Sequence, residues 1–191
     1  MAKHTESVPP AEERRGFFSK LAALFIGGLV ALVPIGAGMA TLLDPLFRKA
    51  RKGQFLKVAA LSAVPDDGIP RRFPVIADQR DAWNYYPNQP VGVVYVRRQP
   101  GEKEVTVLSA VCPHVGCLVD FNKLAGDSGL FQCPCHRSDF EPDGTRINPE
   151  SCPSPRDLDS LEVDPERLAL GEIWIDYKNF KTGHPEKEPI E

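Results

Sequence analysis

Six residues in two short stretches constrain this chain more than anything else in it. Cys112, His114 and Cys117 lie in CPHVGC (112–117), and Cys133, Cys135 and His136 lie in CPCHRSDF (133–140). Each stretch carries one Cys–His pair, spaced Cys-x-His in the first and Cys-x-x-His in the second, plus one further cysteine. Thiolate and imidazole are the donors that borderline-soft metals take. Whatever fold surrounds them must therefore bring residues about twenty positions apart to one place. The fifth cysteine, Cys152, stands outside both stretches.

The residues alone admit three centres. A structural zinc site would use a common two-cysteine, two-histidine set, but would leave the second cysteine of each stretch without a role. A module held by disulfides alone would leave both histidines incidental. A two-iron, two-sulfide cluster would take Cys112 and Cys133 on one iron and His114 and His136 on the other, with a raised potential.

A second feature decides where the chain resides. Leu21 to Leu43 is 23 residues without a charge, about 35 Å as a helix at ~1.5 Å per residue and enough for a bilayer core of ~30 Å. Glycines and Pro34 within it weaken a water-soluble helix but are common in membrane helices. Just before it, Arg14-Arg15-Gly16-Phe17-Phe18-Ser19-Lys20 looks like a twin-arginine export signal, which is read by machinery that moves folded proteins. The basic residues Arg48, Lys49, Arg51 and Lys52 beyond the apolar run oppose a simple charge rule, so the expected topology rests on the export signal. Gly38-Met39-Ala40 is a passable cleavage site, but the apolar run exceeds the ~7–15 residues of a signal-peptide core. A retained single-pass anchor in the cytoplasmic membrane is expected, with the following domain on the periplasmic side. The net charge of −3 gives no reason to expect nucleic-acid binding.

After residue 44 the pattern is all-β, and no stretch shows a helical period. Strands are expected at 55–58, 72–77, 91–98, 104–109, 130–132, 158–163 and within 168–175, with turns at Pro65-Asp66-Asp67-Gly68, Gln99-Pro100-Gly101-Glu102 and Pro142-Asp143-Gly144. The expected organisation is a cytosolic N-terminus at 1–20, disordered over 1–13, then an anchor at 21–43. Asp44-Pro45 breaks that anchor, and a linker covers 44–53. A β domain follows at 54–177, with the metal loops inserted over 108–157, and then a frayed tail at 178–191. Trp83, Tyr85 and Tyr86 read as packing or loop residues, and His4 and His184 as solvated.

The two Cys–His stretches, the export signal and the anchor together resemble the Rieske iron–sulfur proteins, over about residues 14–177. The likeness is to the iron–sulfur subunit of cytochrome bc-type complexes, the quinol–cytochrome c reductases. That resemblance implies an antiparallel β domain with an inserted cluster-binding subdomain behind one N-terminal transmembrane helix. It implies one [2Fe-2S] cluster per chain, held by Cys112, His114, Cys133 and His136, and a Cys117–Cys135 disulfide bracing the loops. It also implies that His136, with His114 beside it, faces quinol at an exposed tip, and that the Ser138 hydroxyl hydrogen-bonds a bridging sulfide. The implied partners are a cytochrome b subunit and a c-type cytochrome, and the implied role is an electron-transfer subunit of an oxidoreductase. A second reading is the small subunit of an arsenite-oxidase-type molybdoenzyme, an electron relay that oxidises no quinol.

The chain departs from that family pattern at four places. Phe140 stands where high-potential members often have a tyrosine bonded to a cysteine sulfur, which lowers the expected potential and points toward menaquinone. Arg137 replaces a glycine, Val115 a leucine, and Cys152 a glycine in a Gly-Pro-x-Pro loop. Cys152 is expected to be a free thiol.

Overall fold

The computed structural model describes residues 11–47, 55–80, 83–124 and 128–190, in two units that divide at residue 50. The basic residues at 48–52, His4 and the disorder expected for residues 1–10 all lie outside the described residues.

The first unit is one helix, α1 (Ala11–Phe47). It begins ten residues before the apolar run, so Ala11–Glu13, expected to be disordered, are helical. Ala, Glu and Arg are strong helix formers. It also runs through Asp44-Pro45, expected to end it, because a proline this near the terminus removes one ladder bond without ending the helix. The stretch Gly16–Asp44 is long and apolar enough to cross a membrane, and none of its most apolar window is buried within the protein. Ser19 and Thr41 donate their hydroxyls to the carbonyls of Gly16 and Gly38, which satisfies both hydroxyls within the helix, as an apolar medium requires.

The second unit is mostly β. Strand β1 (Phe55–Ala60) pairs antiparallel with the last strand, β8 (Glu172–Asp176). Strands β2 (Arg71–Arg80), β3 (Tyr85–Arg98) and β4 (Val105–Ser109) form an antiparallel meander. A small third sheet takes β5 (Asp120–Asn122), β6 (Leu130–Gln132) and β7 (Asp139–Phe140).

The middle sheet explains how the other two are joined. Side chains alternate across a strand, and both faces of β3 and β4 are buried. Val94, Val96 and Val107 enter a core shared with Val64, Val75, Ile173 and Ile175, beneath β1 and β8. Their neighbours Tyr95 and Leu108 point the other way, into a core with Ala110, Cys112, Val119, Phe131, Cys133 and Phe140. The near-continuous apolar run at 91–96 reflects this two-sided burial. Tyr95 meets Phe131 edge-on at 4.8 Å, Phe131 meets Phe121 at 5.0 Å, and the Tyr95 hydroxyl donates to the Val119 carbonyl at 3.2 Å. Both metal loops are therefore rooted in apolar packing against the central sheet.

Four expectations are corrected. Residues 158–163 form no ladder strand, because the segment changes partners: it meets β4 at Ser160 and β8 at Val163, one bridge each. Leu168 and Ala169 belong to a short helix, α2 (Pro165–Ala169). The Asp164 carboxylate caps it by accepting from the Glu166 and Arg167 amides, and Pro165 opens it. Trp83 is a loop residue as expected, but Tyr85 and Tyr86 begin β3 and are exposed, and the Tyr85 hydroxyl donates to Asp78 at 2.6 Å. The tail is ordered: Phe180 bridges Pro189, and the Lys181 amide donates to the Glu188 carbonyl at 2.9 Å.

Candidate metal centre

The two loops that carry the cysteines and histidines close with the same backbone pattern. In the first, the Cys112 amide donates to the Cys117 carbonyl at 2.7 Å, and the Gly116 amide donates back to the Cys112 carbonyl at 3.0 Å. In the second, the Cys133 amide donates to the Ser138 carbonyl at 2.9 Å, and the Arg137 amide to the Cys133 carbonyl at 3.1 Å. Each turn needs a left-handed residue at its fifth position. That is Gly116 at φ +84° in one loop and Arg137 at φ +57° in the other. The sequence departure at 137 therefore carries a steric cost that glycine would not. Arg137→Gly is expected to raise stability by about 0.5–1 kcal/mol, the ~1–2 kcal/mol of left-handed strain less ~0.5–1 kcal/mol of extra chain entropy. Thermal unfolding checks this, and a lowered midpoint would contradict it.

With the loops so closed, the six residues converge in three pairs. Cys117 and Cys135 are joined as a disulfide that ties one loop to the other. Cys112 and Cys133 are free thiols buried in the same packed core. The His114 and His136 rings meet edge-on, 4.7 Å between centroids, with His114 half-buried and His136 exposed. Burial pushes the Cys112 thiol up to about 11, its repulsion from Cys133 adds to this, and a backbone hydrogen bond at His114 offsets part of it. As a buried thiol it holds its proton at neutral pH, and metal binding must displace that proton.

The donor set fits a binuclear group better than a single ion. Among the described residues, the one set of three or more ligating atoms that falls within 4.8 Å is Cys117, Cys133 and Cys135, and two of those sulfurs already share a bond. Among the described residues the two free thiols and the two imidazoles do not form such a set, which a tetrahedral zinc held by all four would require. Two further atoms would suit such a group: His114 Nδ1 and Ser138 Oγ are buried without a hydrogen-bond partner in the protein. Buried polar atoms are rarely left so. The Ser138 hydroxyl weakly favours the Cys112 thiolate, but lies outside hydrogen-bonding geometry.

Surrounding segments hold the loops. Phe140 is fully buried in the same core as Cys112 and Cys133, and brings no hydroxyl to either sulfur. The segment at 152–155 is pinned by Arg146, which donates to the Ser154 and Pro155 carbonyls at 3.2 and 3.0 Å and pairs with Asp157 at 3.1 Å. Cys152 in that segment is a free, half-buried thiol. The anchoring role of Arg146 had no sequence signal.

Residues 54–162 match the family model described as the Rieske [2Fe-2S] domain. The chain is 29% identical over 146 residues to the menaquinol:cytochrome c reductase iron–sulfur subunit of Geobacillus thermodenitrificans, covering 76% of this chain and 83% of that one. The protein of the same name from Bacillus subtilis (strain 168) is likewise 29% identical, with 76% and 84% covered. Among solved structures, the ferredoxin of carbazole 1,9a-dioxygenase from Nocardioides aromaticivorans IC177 aligns at 21% identity and a TM-score of 0.37, over 65% of this chain and 99% of that chain.

Proposed function

We propose that this chain, which belongs to the Rieske [2Fe-2S] domain family, is the iron–sulfur subunit of a membrane quinol:cytochrome c oxidoreductase. In this role it takes one electron and one proton from quinol and passes the electron to a c-type cytochrome. The observation that carries the reading is the division of the donors into a buried thiol pair and an imidazole pair that reaches solvent at His136.

Cys112 and Cys133 would hold one iron, and His114 and His136 the other. Bound there, a [2Fe-2S] group with two imidazole ligands supplies a one-electron acceptor at between about −150 and +300 mV, against roughly −400 mV for all-cysteine ligation. His114 offers Nδ1, its buried unpaired atom, which leaves its other ring nitrogen as a donor. His136, exposed, would hydrogen-bond a quinol hydroxyl through its metal-free ring nitrogen, and takes the quinol proton there from the form in which that nitrogen has lost its own proton. Val115 and Leu118, 54% and 43% exposed in and beside the first loop, give that edge an apolar rim suited to a lipophilic substrate. The Ser138 hydroxyl, with no protein partner, is free to donate to a sulfur of the cluster. Phe140 withholds such a donor, which sets the potential lower and suits menaquinol, and the two menaquinol:cytochrome c reductase relatives support that choice.

Residues 21–43 anchor the domain to the cytoplasmic membrane, and the twin-arginine stretch at 14–15 directs its export as a folded protein. A disulfide between Cys117 and Cys135 suits an oxidising outer compartment. In membranes of a host deprived of its own such subunit, the full chain is expected to restore menaquinol-driven reduction of cytochrome c. His136→Ala should abolish that activity at an equal level of protein in the membrane. Full activity from the variant would refute the assignment.

A further inference from the structure

We propose that residues 179–190 form a strap that holds the first ligand loop in register, with Arg156 as its anchor. This deepens the reading above, since it rests on His114 being a ligand.

Arg156 is only 8% exposed. Its Nε and Nη2 fork onto the two carboxylate oxygens of Asp159 at 2.9 and 2.8 Å. The same guanidinium reaches the tail, with Nη1 donating to the His184 carbonyl at 2.5 Å and Nη2 to the Lys181 carbonyl at 2.9 Å. Asp159 balances the charge, and the planar fork fixes both tail carbonyls in one geometry, which a lysine could not do. The tail closes on itself through Lys181 to Glu188 and through the Ile190 amide, which donates to the Asn179 carbonyl at 2.8 Å. Lys187 lies over the Phe180 ring at 4.8 Å and donates to the Ser160 carbonyl.

What the strap touches gives it a role. The Gly183 amide donates to the Pro113 carbonyl at 2.8 Å, and Pro113 is the residue between Cys112 and His114. A methyl group placed on Gly183 would come within 3.7 Å of the His114 carbonyl, and one on Gly116 within 3.7 Å of the Thr182 methyl. The loop's own hydrogen bonds join Cys112 to Gly116 and Cys117. The peptide unit that separates the two ligands is held from outside, by Gly183. Arg156, Asp159 and Gly183 are thus positioning residues: they act on the centre through the backbone that orients His114.

The test uses the full chain and two variants: one ending at Asn179, which leaves the Arg156–Asp159 pair intact, and Arg156→Gln, which leaves the tail present. Three readings are taken on each protein as purified: amide exchange at 112–117, the electron paramagnetic resonance line shape, and the rate at which a chelator bleaches the visible absorbance. Both variants should exchange faster at 112–117 and bleach about 10–100-fold faster, as loss of groups that orient metal ligands typically does. Exchange in β2, β3 and β4 should stay unchanged, and the double variant should be no worse than the truncation alone. Unchanged exchange at 112–117 in the truncated chain would overturn the proposal, as would a loss spread equally through β2–β4. A full-length chain that purifies without iron or acid-labile sulfide would instead sink the metal reading, and the exchange comparison on metal-free chains would still decide the strap.

Discussion

Replacing His136 by cysteine is expected to abolish the low-field electron paramagnetic resonance signal of a mixed-ligand centre and to drive its midpoint potential down by hundreds of millivolts. The size follows from the ligands. Two neutral imidazoles leave their iron electron-poor, whereas a thiolate adds a negative charge, and the span runs from about −150 to +300 mV down to roughly −400 mV. His136 lies at the exposed end of the ring pair and shares no packed core with Phe131 or Phe140, so the substitution perturbs the centre more than the fold. Anaerobic titration of the variant beside the parent chain checks this. An unchanged signal and potential would remove His136 from the ligand set, and with it the quinol-facing edge.

The second large effect belongs to the sulfur bridge. Cys117→Ser is expected to cost about 3 kcal/mol, the chain-entropy value for a closed loop of this order, given the 18-residue separation between Cys117 and Cys135. The loss should be larger in function than in fold, because the bridge ties the two ligand loops to each other and Cys133 lies within 4.8 Å of both its sulfurs. Cys152→Ser is the control: that thiol is free and half-buried, and its loss should stay within about 0.5 kcal/mol. Thermal unfolding and the chelator bleaching rate measure the difference. Equal losses from the two serines would count against the bridge as the brace of the centre.

Much of this architecture was legible because its signals are local. Alternation and turn chemistry at Gln99-Pro100-Gly101-Glu102 located the hairpin of β3 and β4, and Leu130–Gln132 was read to the residue. The charge-free run located the apolar part of α1. The six cysteine and histidine positions announced a centre, and the fold brings them together.

What was not legible depends on distant partners or on signals overruled by the strand pattern. Asp164-Pro165-Glu166 carries a full helix start, yet the apolar alternation that follows it outweighed one turn of helix. Leu158 to Val163 has strand composition, but its backbone serves two sheets in succession and so builds neither ladder. The tail looked frayed because its charges and prolines bury almost nothing themselves. Its order comes from Arg156, 25 and 28 residues upstream of the carbonyls it holds. Arg137 stands in the sequence only as a departure from a family glycine, and the structure shows what that departure costs: it holds a left-handed turn position, as Gly116 does in the first loop.

The central claim is that a buried thiol pair and an edge imidazole pair hold one two-iron cluster between them. A redox titration of the purified chain, followed by electron paramagnetic resonance and paired with iron and acid-labile sulfide analysis, tests it most directly. Two irons and two sulfides per chain, with a one-electron midpoint between about −150 and +300 mV, is the result expected here. One zinc with no labile sulfide, or a midpoint near the all-cysteine value, would contradict it.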